Sequence, residues 1–317
     1  MLKRVLLGVL IAVVVLVGGA AAYSAWYVNS LGSNMAMDPE EEQQLDQVID
    51  TTKDTAQEPY YMLIIGSDKW EPYGERSDAM VLTRIDPTNH QVTMVSIPRD
   101  TPYMLDGRKV KINQAFAEKG SAGAVEAVQK LTGVSISSYV EIEFPGLADF
   151  VDSIGGVYVD VPYAIDYQVY TMDQDVVHID AGLQRLNGTQ CVALARMRTA
   201  YGPDQEAVRQ SNIRAMVLAL MNQVLDAPPA EIPGLVQRLS QCVSTNVNIQ
   251  DMISLATGFA RDGNTKVYTC TGPYKGDIDP ETGLWLCYED PQGWATLMAA
   301  VDAGDDPRTA ATTVLGK

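Results

Sequence analysis

The sequence predicts an α/β domain, a central mixed β-sheet flanked by helices, standing behind an N-terminal transmembrane helix. Three observations carry that prediction. Short apolar runs end in turn residues at Tyr60–Asp68, Asp78–Asp86 and Gln91–Pro98, as strands buried on both faces do. Among and after them lie stretches of helical periodicity, the longest from Glu206 to Leu225, with Ile213, Met216, Val217, Leu220 and Val224 on one stripe. The run Val5–Tyr27 holds 23 uncharged residues, enough for a helix to cross a hydrocarbon core about 30 Å thick.

Lys3 and Arg4 precede that run, and Tyr23, Trp26 and Tyr27 close it. Basic residues favour the cytoplasmic side and aromatics the interface. Residues 1–30 therefore read as a cytoplasmic stub and single-pass anchor, N-terminus inside, with the rest of the chain extracellular. A cleaved signal using Ala20–Ala22 is the alternative, but the apolar run is longer than such signals need, and either reading exports the domain. From Asp38 to Glu58 eight acidic residues face the single basic residue Lys53, so residues 31–59 read as a solvated acidic linker.

The domain itself begins at Tyr60. Pro87-Thr88-Asn89 is a turn between the second and third strands. Ile112–Lys119 and Ala122–Leu131 read as helices, the second stopped near Gly133. Ser138–Phe144 and Val157–Val161 read as strands around a helix from about Gly146 to Ser153, closed by Gly155-Gly156. Residues 60–225 form the core, and residues 226–317 a C-terminal part of the same domain.

Composition excludes some functions. The 317 residues are 46% apolar, so a sizeable core can form, but the formal net charge is −17. Nucleic acid is bound through clustered Lys and Arg, which this chain lacks. It has no Walker loop, dinucleotide glycine pattern or nucleophile elbow. His90 and His178 lack metal-ligand partners at zinc spacing. Four cysteines in an exported domain allow three pairings; Cys270 in "KVYTC" and Cys287 in "GLWLCY", two strands joined by a Gly- and Pro-containing segment, are the expected disulfide.

The informative stretch is "TMVSIPRDTPY", a buried strand that ends in Pro98-Arg99-Asp100-Thr101. A turn needs no arginine. If the first and third strands are neighbours, Asp68 and Arg99 share the crevice beyond the strands' carboxyl ends, where ligands of open α/β sheets bind, and Asp78 reaches it across a hairpin. Two carboxylates suit Mg²⁺, and an arginine suits phosphate. Taken singly, each has a plainer reading: a turn or cap for Asp68 or Asp78, a local pair with Asp100 for Arg99.

An ordered series of motifs goes further. "LIIGSD" (Leu63–Asp68), "RSDAMVLTRID" (Arg76–Asp86), "VSIPRDT" (Val95–Thr101), "KINQAF" (Lys111–Phe116), "GGVYVDVP" (Gly155–Pro162) and "AGLQRLNGTQCVALARMR" (Ala181–Arg198) together resemble the LytR-CpsA-Psr family of membrane-anchored cell-wall ligases. The resemblance covers about Tyr60–Leu225 and, more loosely, Val243–Ala260. It implies a phosphotransferase that moves an anionic glycopolymer, teichoic acid or capsule-like, from a polyprenyl-pyrophosphate carrier in an apolar lipid pocket beneath the sheet to a peptidoglycan hydroxyl. By matched motif, Asp68 and Asp78 would hold Mg²⁺, or Mn²⁺. Arg76, Arg99, Arg196 and Arg198 would contact the pyrophosphate, Lys111 and Asn113 would line its edge, and Arg209-Gln210 match a further arginine–glutamine pair. Asp100 would orient Arg99 or accept the acceptor's proton. Arg196 and Arg198 can face one ligand only if their helix ends near Arg196 and the chain then extends.

One position departs from the resemblance. Where the family places an arginine three residues before Arg209, this chain has Glu206. On a helix starting near Gln205 it shares a face with Arg209, so it would orient that arginine, hold it away from the phosphates, or face solvent. Glu206 also motivates an alternative, a non-catalytic envelope protein that binds or senses lipid pyrophosphate; a polyprenyl pyrophosphatase is a third reading.

Overall fold

A computed structural model of the chain describes residues 21–70, 74–168, 176–197, 205–225, 227–228, 231–262 and 265–314. Most of the expected Val5–Tyr27 span lies outside them. Among the described residues no helix is long and apolar enough to cross a membrane.

Helix α1 (Ala21–Met35) buries Tyr27, Leu31 and Met35 in the core. Asp38 caps α2 (Pro39–Asp46), accepting from the N–H groups of Glu40 and Glu41, while Pro39 in the first turn forfeits no helical hydrogen bond. The first part of the segment expected to be a solvated linker is therefore packed, whereas residues 51–59 are mostly exposed. Leu31, Met35, Met37 and Leu45 are buried, and Ala36 bridges Thr245, while Asp38, Glu40, Glu42 and Asp46 stay exposed. A few apolar residues set among the acids supply enough buried area to dock the segment.

Strands β1 (Tyr60–Trp70), β2 (Gly74–Asp86) and β3 (Gln91–Ser96) form two successive antiparallel pairs. The turn between β2 and β3 is held by Asp86, whose carboxylate accepts from the backbone N–H and side-chain amide of Asn89. A hairpin of β4 (Pro102–Leu105) and β5 (Arg108–Lys111) follows. Helix α3 (Asn113–Thr132) is broken at Lys119 and Gly120, where Gly120 takes φ 60°, so the two helices expected here are joined by a kink.

Next come β6 (Ile136–Glu143), α4 (Phe144–Ser153), β7 (Val157–Val161), β8 (Ile165–Gln168), β9 (Val176–Ile179), β10 (Gly182–Leu186), α5 (Gly188–Arg196) and α6 (Gln205–Leu225). The chain ends with α7 (Ile232–Leu239), β11 (Val243–Thr245), α8 (Ile249–Asp262), β12 (Lys266–Thr271), β13 (Tyr274–Ile278), β14 (Trp285–Glu289), α9 (Pro291–Ala303) and α10 (Pro307–Val314).

Six strands form one mixed sheet in the order β11-β6-β1-β2-β3-β12. Pairing of β1 with β6 and of β3 with β12 is parallel. Because β1 and β3 both run antiparallel to β2, their carboxyl ends share one edge. Alternation along the strands separates the faces. Leu63, Ile65, Leu82, Val95 and Ile97 pack against α3 and α9 through Ala124, Val128, Trp294 and Leu297. Tyr60, Met62, Ile85 and Val92 pack on the other face with Phe259 of α8. A further cluster joins Phe144, Val157, Leu194, Met216 and Leu220 to α1.

The expected Cys270–Cys287 disulfide is not formed. All four cysteines are buried thiols. Strand β12, which carries Cys270, belongs to the main sheet, whereas β14, which carries Cys287, forms a two-stranded sheet with β13. Burial pushes the Cys191, Cys242 and Cys270 thiols up to about 12, so they remain protonated and unreactive at neutral pH. Non-reducing peptide mapping is expected to find all four alkylated only after unfolding; a linked Cys270–Cys287 peptide would reject this arrangement.

Candidate active site

The site is built at the carboxyl edge of β1 and β3. Two local devices aim its carboxylates. Gly66 lets β1 approach α4, since a Cβ there would lie 2.6 Å from the Phe144 ring, and this puts Ser67 and Asp68 just past the packed core. Across the ladder, Gly66 opposes Ala79 while Ser67 opposes Ser77, so Asp78 is the extra residue of a β-bulge. Bulges re-aim side chains, and this one turns Asp78 toward Asp68 and Arg99.

The charged groups then converge. Arg99 Nη1 pairs with Asp78 Oδ1, and Arg196 Nη2 with Asp68 Oδ2; Arg196 Nε also lies 3.8 Å from Asp78 Oδ2. Asp68 and Asp78 are each 7% exposed and Arg99 9%, so these are buried pairs, unlike screened surface bridges. Burial lowers the Arg196 pKa to about 10, which leaves it protonated at neutral pH. Lys111 Nζ is 2.7 Å from Asp100 Oδ1. Asp100 is fully buried, and desolvation raises its pKa against the opposing pull of Lys111. A cavity of about 380 Å³ opens beside the cluster, lined by Asp78, Arg99, Asp100, Lys111 and Asn113, with Leu284 from the β13–β14 connection on its rim.

The structure therefore brings together Asp68, Asp78, Arg99, Asp100, Lys111, Asn113 and Arg196. Helix α5 ends at Arg196, and Met197 is extended, the geometry that two inward-facing arginines require. Arg198 itself lies outside the described residues. Arg76 sits opposite Asp68 in the β1–β2 ladder. Arg209 and Gln210, expected at the phosphates, instead turn to Glu206: Gln210 Nε2 donates to Glu206 Oε1 at 3.0 Å, and Arg209 forms a two-point pair with the same carboxylate. Arg214 points elsewhere, donating to Ser96 Oγ at 2.9 Å.

Sequence reasoning missed the bulge at Asp78 and the Lys111–Asp100 pair. The unequal spacing of "GSD" and "RSDA" was the only trace of the bulge, and nothing in the sequence set Lys111 against Asp100 rather than a phosphate.

The donor set suits a hard cation. A single guanidinium, that of Arg196, reaches both Asp68 and Asp78, so the two carboxylates already bracket one position of positive charge. Among the described residues no group of three or more His, Cys, Asp or Glu could hold a metal ion. Two carboxylates are what Mg²⁺ takes when phosphate oxygens and water complete its shell.

Residues 22–291 match the profile of the LytR_cpsA_psr family. The polyisoprenyl-teichoic acid–peptidoglycan teichoic acid transferase TagV of Bacillus subtilis is 29% identical over 223 residues, 68% of this chain and 57% of TagV. The chain thus spans little more than half the length of that relative. The TagU transferase of Bacillus licheniformis is 24% identical over 294 residues, 92% of each chain. The crystal structure of B. subtilis TagV superposes with a TM-score of 0.62 at 25% identity, covering 81% of this chain and 96% of that one.

Proposed function

This chain belongs to the LytR-CpsA-Psr family, and from that premise we propose that it is a phosphotransferase linking an anionic glycopolymer, teichoic acid or capsule-like, to peptidoglycan from a polyprenyl-pyrophosphate carrier. The observation that carries the reading is the convergence of Asp68, Asp78, Arg99 and Arg196 at the sheet's carboxyl edge, beside a cavity that reaches Asp100. Related chains named as teichoic acid transferases support the substrate class.

In this reading the acceptor hydroxyl attacks the phosphorus that bears the glycopolymer. A new P–O bond forms to the peptidoglycan sugar, the bond to the carrier's remaining phosphate breaks, and polyprenyl phosphate leaves. Such transfer is governed by positioning and charge neutralisation. The guanidinium forks of Arg99 and Arg196 hold the phosphate oxygens in two-point contacts, and Lys111 and Asn113 line the edge. Asp100, kept less acidic by burial, takes the proton from the acceptor or fixes the Arg99 loop. Mg²⁺ or Mn²⁺ on Asp68 and Asp78 would neutralise charge building on the bridging oxygen.

The carrier's apolar tail would lie on the sheet face opposite α3. There Ile64, Met94 and Val140 of the strands are only half-buried, as is Leu255 of α8. A set of partly covered apolar side chains suits a lipid pocket. The anchor at residues 1–30 would keep the domain on the outer membrane surface beside its lipid substrate. External protease on intact cells is expected to remove the domain and leave a membrane stub; full protection would reject that placement.

The non-catalytic alternative rested on Glu206 repelling the pyrophosphate. With both its oxygens engaged by Arg209 and Gln210, Glu206 is neutralised where it stands, and that ground is lost. The deciding assay incubates the detergent-purified chain with a polyprenyl-pyrophosphate-linked saccharide, a peptidoglycan oligomer and Mg²⁺. Polyprenyl monophosphate and a glycan phosphodiester are expected, both abolished by chelation. Release of saccharide phosphate to water would point to the pyrophosphatase, and no release of carrier would overturn the enzymatic reading.

A further inference from the structure

Arg209 is 1% exposed and Glu206 fully buried, an unusual depth for two charged side chains. Every nitrogen of Arg209 is in use. Nε donates to Glu206 Oε2 at 2.9 Å and Nη2 to Glu206 Oε1 at 2.5 Å, while Nη1 donates to the backbone carbonyls of Asp78, at 2.7 Å, and Ala195, at 3.3 Å.

Those two carbonyls belong to the segments that present the reactive groups. Asp78 is the bulge residue, which the β1–β2 ladder leaves without a cross-strand partner. Ala195 lies in the last turn of α5, where carbonyls have no acceptor role left within the helix, one residue before Arg196. One guanidinium thus ties the bulge that aims Asp78 to the helix end that aims Arg196.

We propose that Glu206 and Arg209 form a buried strut that positions Asp78 and Arg196, and that Arg209 acts through these two backbone contacts and not as a phosphate ligand. Glu206 is what permits the arrangement. A guanidinium buried this deeply needs a counter-charge, and the two-point pair supplies it while fixing the orientation of Nη1 toward the carbonyls. Gln210, one residue along α6, donates to the same carboxylate oxygen as Arg209 Nη2. The departure of this chain at residue 206 is then a replacement of one way of building the site by another: charge that could have faced the substrate is spent behind the bulge, on geometry.

The test has two arms, and only the kinetic one rests on the transferase reading. In the full chain, labelled with ¹⁵N-arginine and held in detergent micelles, the Arg209 Nε–H resonance, assigned by its loss in Arg209→Lys, is expected to be protected from solvent exchange. Saturating inorganic pyrophosphate with Mg²⁺ is expected to leave it in place, and Glu206→Gln, nearly isosteric, to abolish the protection. A shift of that resonance with pyrophosphate, or protection that survives Glu206→Gln, would overturn the strut.

In the transfer assay, Glu206→Gln and Arg209→Gln are each expected to lower kcat on the order of tenfold to a hundredfold, with the donor KM nearly unchanged. The double variant should be no slower than the slower single one, because both remove the same contact. Additive losses, with KM raised by Arg209→Gln alone, would make Arg209 a phosphate ligand. If the wild-type chain transfers nothing, the transferase reading fails and the spectroscopic arm still decides the strut.

Discussion

Replacing Arg99 by lysine is expected to slow glycopolymer transfer by about 30-fold, equivalent to about 2 kcal/mol of transition-state stabilisation, with a much smaller loss of folding stability. Arg99 presents a planar fork at the edge of the cavity, with Nη1 on Asp78 and with Nε buried and without a hydrogen-bond partner among the described residues. A buried donor without a partner costs free energy in the resting site and is available to an incoming phosphate oxygen. Lysine keeps the positive charge and can still pair with Asp78, but it is a point charge and cannot offer two parallel donors. Transfer near the wild-type rate by Arg99→Lys would mean that the fork is not used.

Alanine at the same position separates catalysis from folding. From the sequence, an arginine at a strand end looks dispensable to the fold. At 9% exposure, however, Arg99 is the close partner of an Asp78 carboxylate that is itself buried. Arg99→Ala would leave that carboxylate with Arg196 Nε, 3.8 Å away, as its remaining cation among the described residues. Breaking a buried pair from one side costs about 3 kcal/mol. Urea unfolding should therefore show Arg99→Ala distinctly less stable than Arg99→Lys, and equal stability would show that Asp78 is adequately served by Arg196.

The strands nearest the site were legible because their pattern is nearly redundant: apolar runs of the right length, closed by Gly-Ser-Asp and Pro-Arg-Asp, leave few alternatives to central strands opening onto a shared edge. Helix ends were legible where a residue enforces them, as Gly133 does in its left-handed conformation after α3. Chemistry that depends on register was not. Asp78 reaches the site because one residue of β2 has no partner opposite, and such a slip is decided by how two strands settle, not by composition. The start of the segment expected to be a linker misled for a related reason. Charge density suggested a solvated chain, but Leu31, Met35, Met37 and Leu45 were spaced to dock once a core was there to receive them. The cysteines misled because two strands close in sequence were assumed to be neighbours, and β12 joined β3 instead.

The second large effect is expected at Glu206. Restoring the arginine that the resemblance calls for, Glu206→Arg, would tighten pyrophosphate binding if the carboxylate merely restrained an otherwise competent site. If Glu206 faced solvent, the change would matter little. Its complete burial removes the second premise, and the bonds from Arg209 to the Asp78 and Ala195 carbonyls oppose the first. The substitution would place a second guanidinium against Arg209, delete the carboxylate that pairs with Arg209, and leave Gln210 Nε2 without its acceptor. Removing one member of a buried pair costs about 3–5 kcal/mol, a large share of a typical domain's stability, before any repulsion is added. A fall in Tm of about 10 °C or more is expected for a domain of this size, with transfer lost even at temperatures where the chain stays folded, because the Asp78 bulge and the end of α5 are no longer tied. The measurement is calorimetric unfolding beside the transfer assay. An unchanged Tm with faster transfer would show that Arg209 can leave its carbonyls and reach the phosphates, and that residue 206 is free to serve the substrate directly.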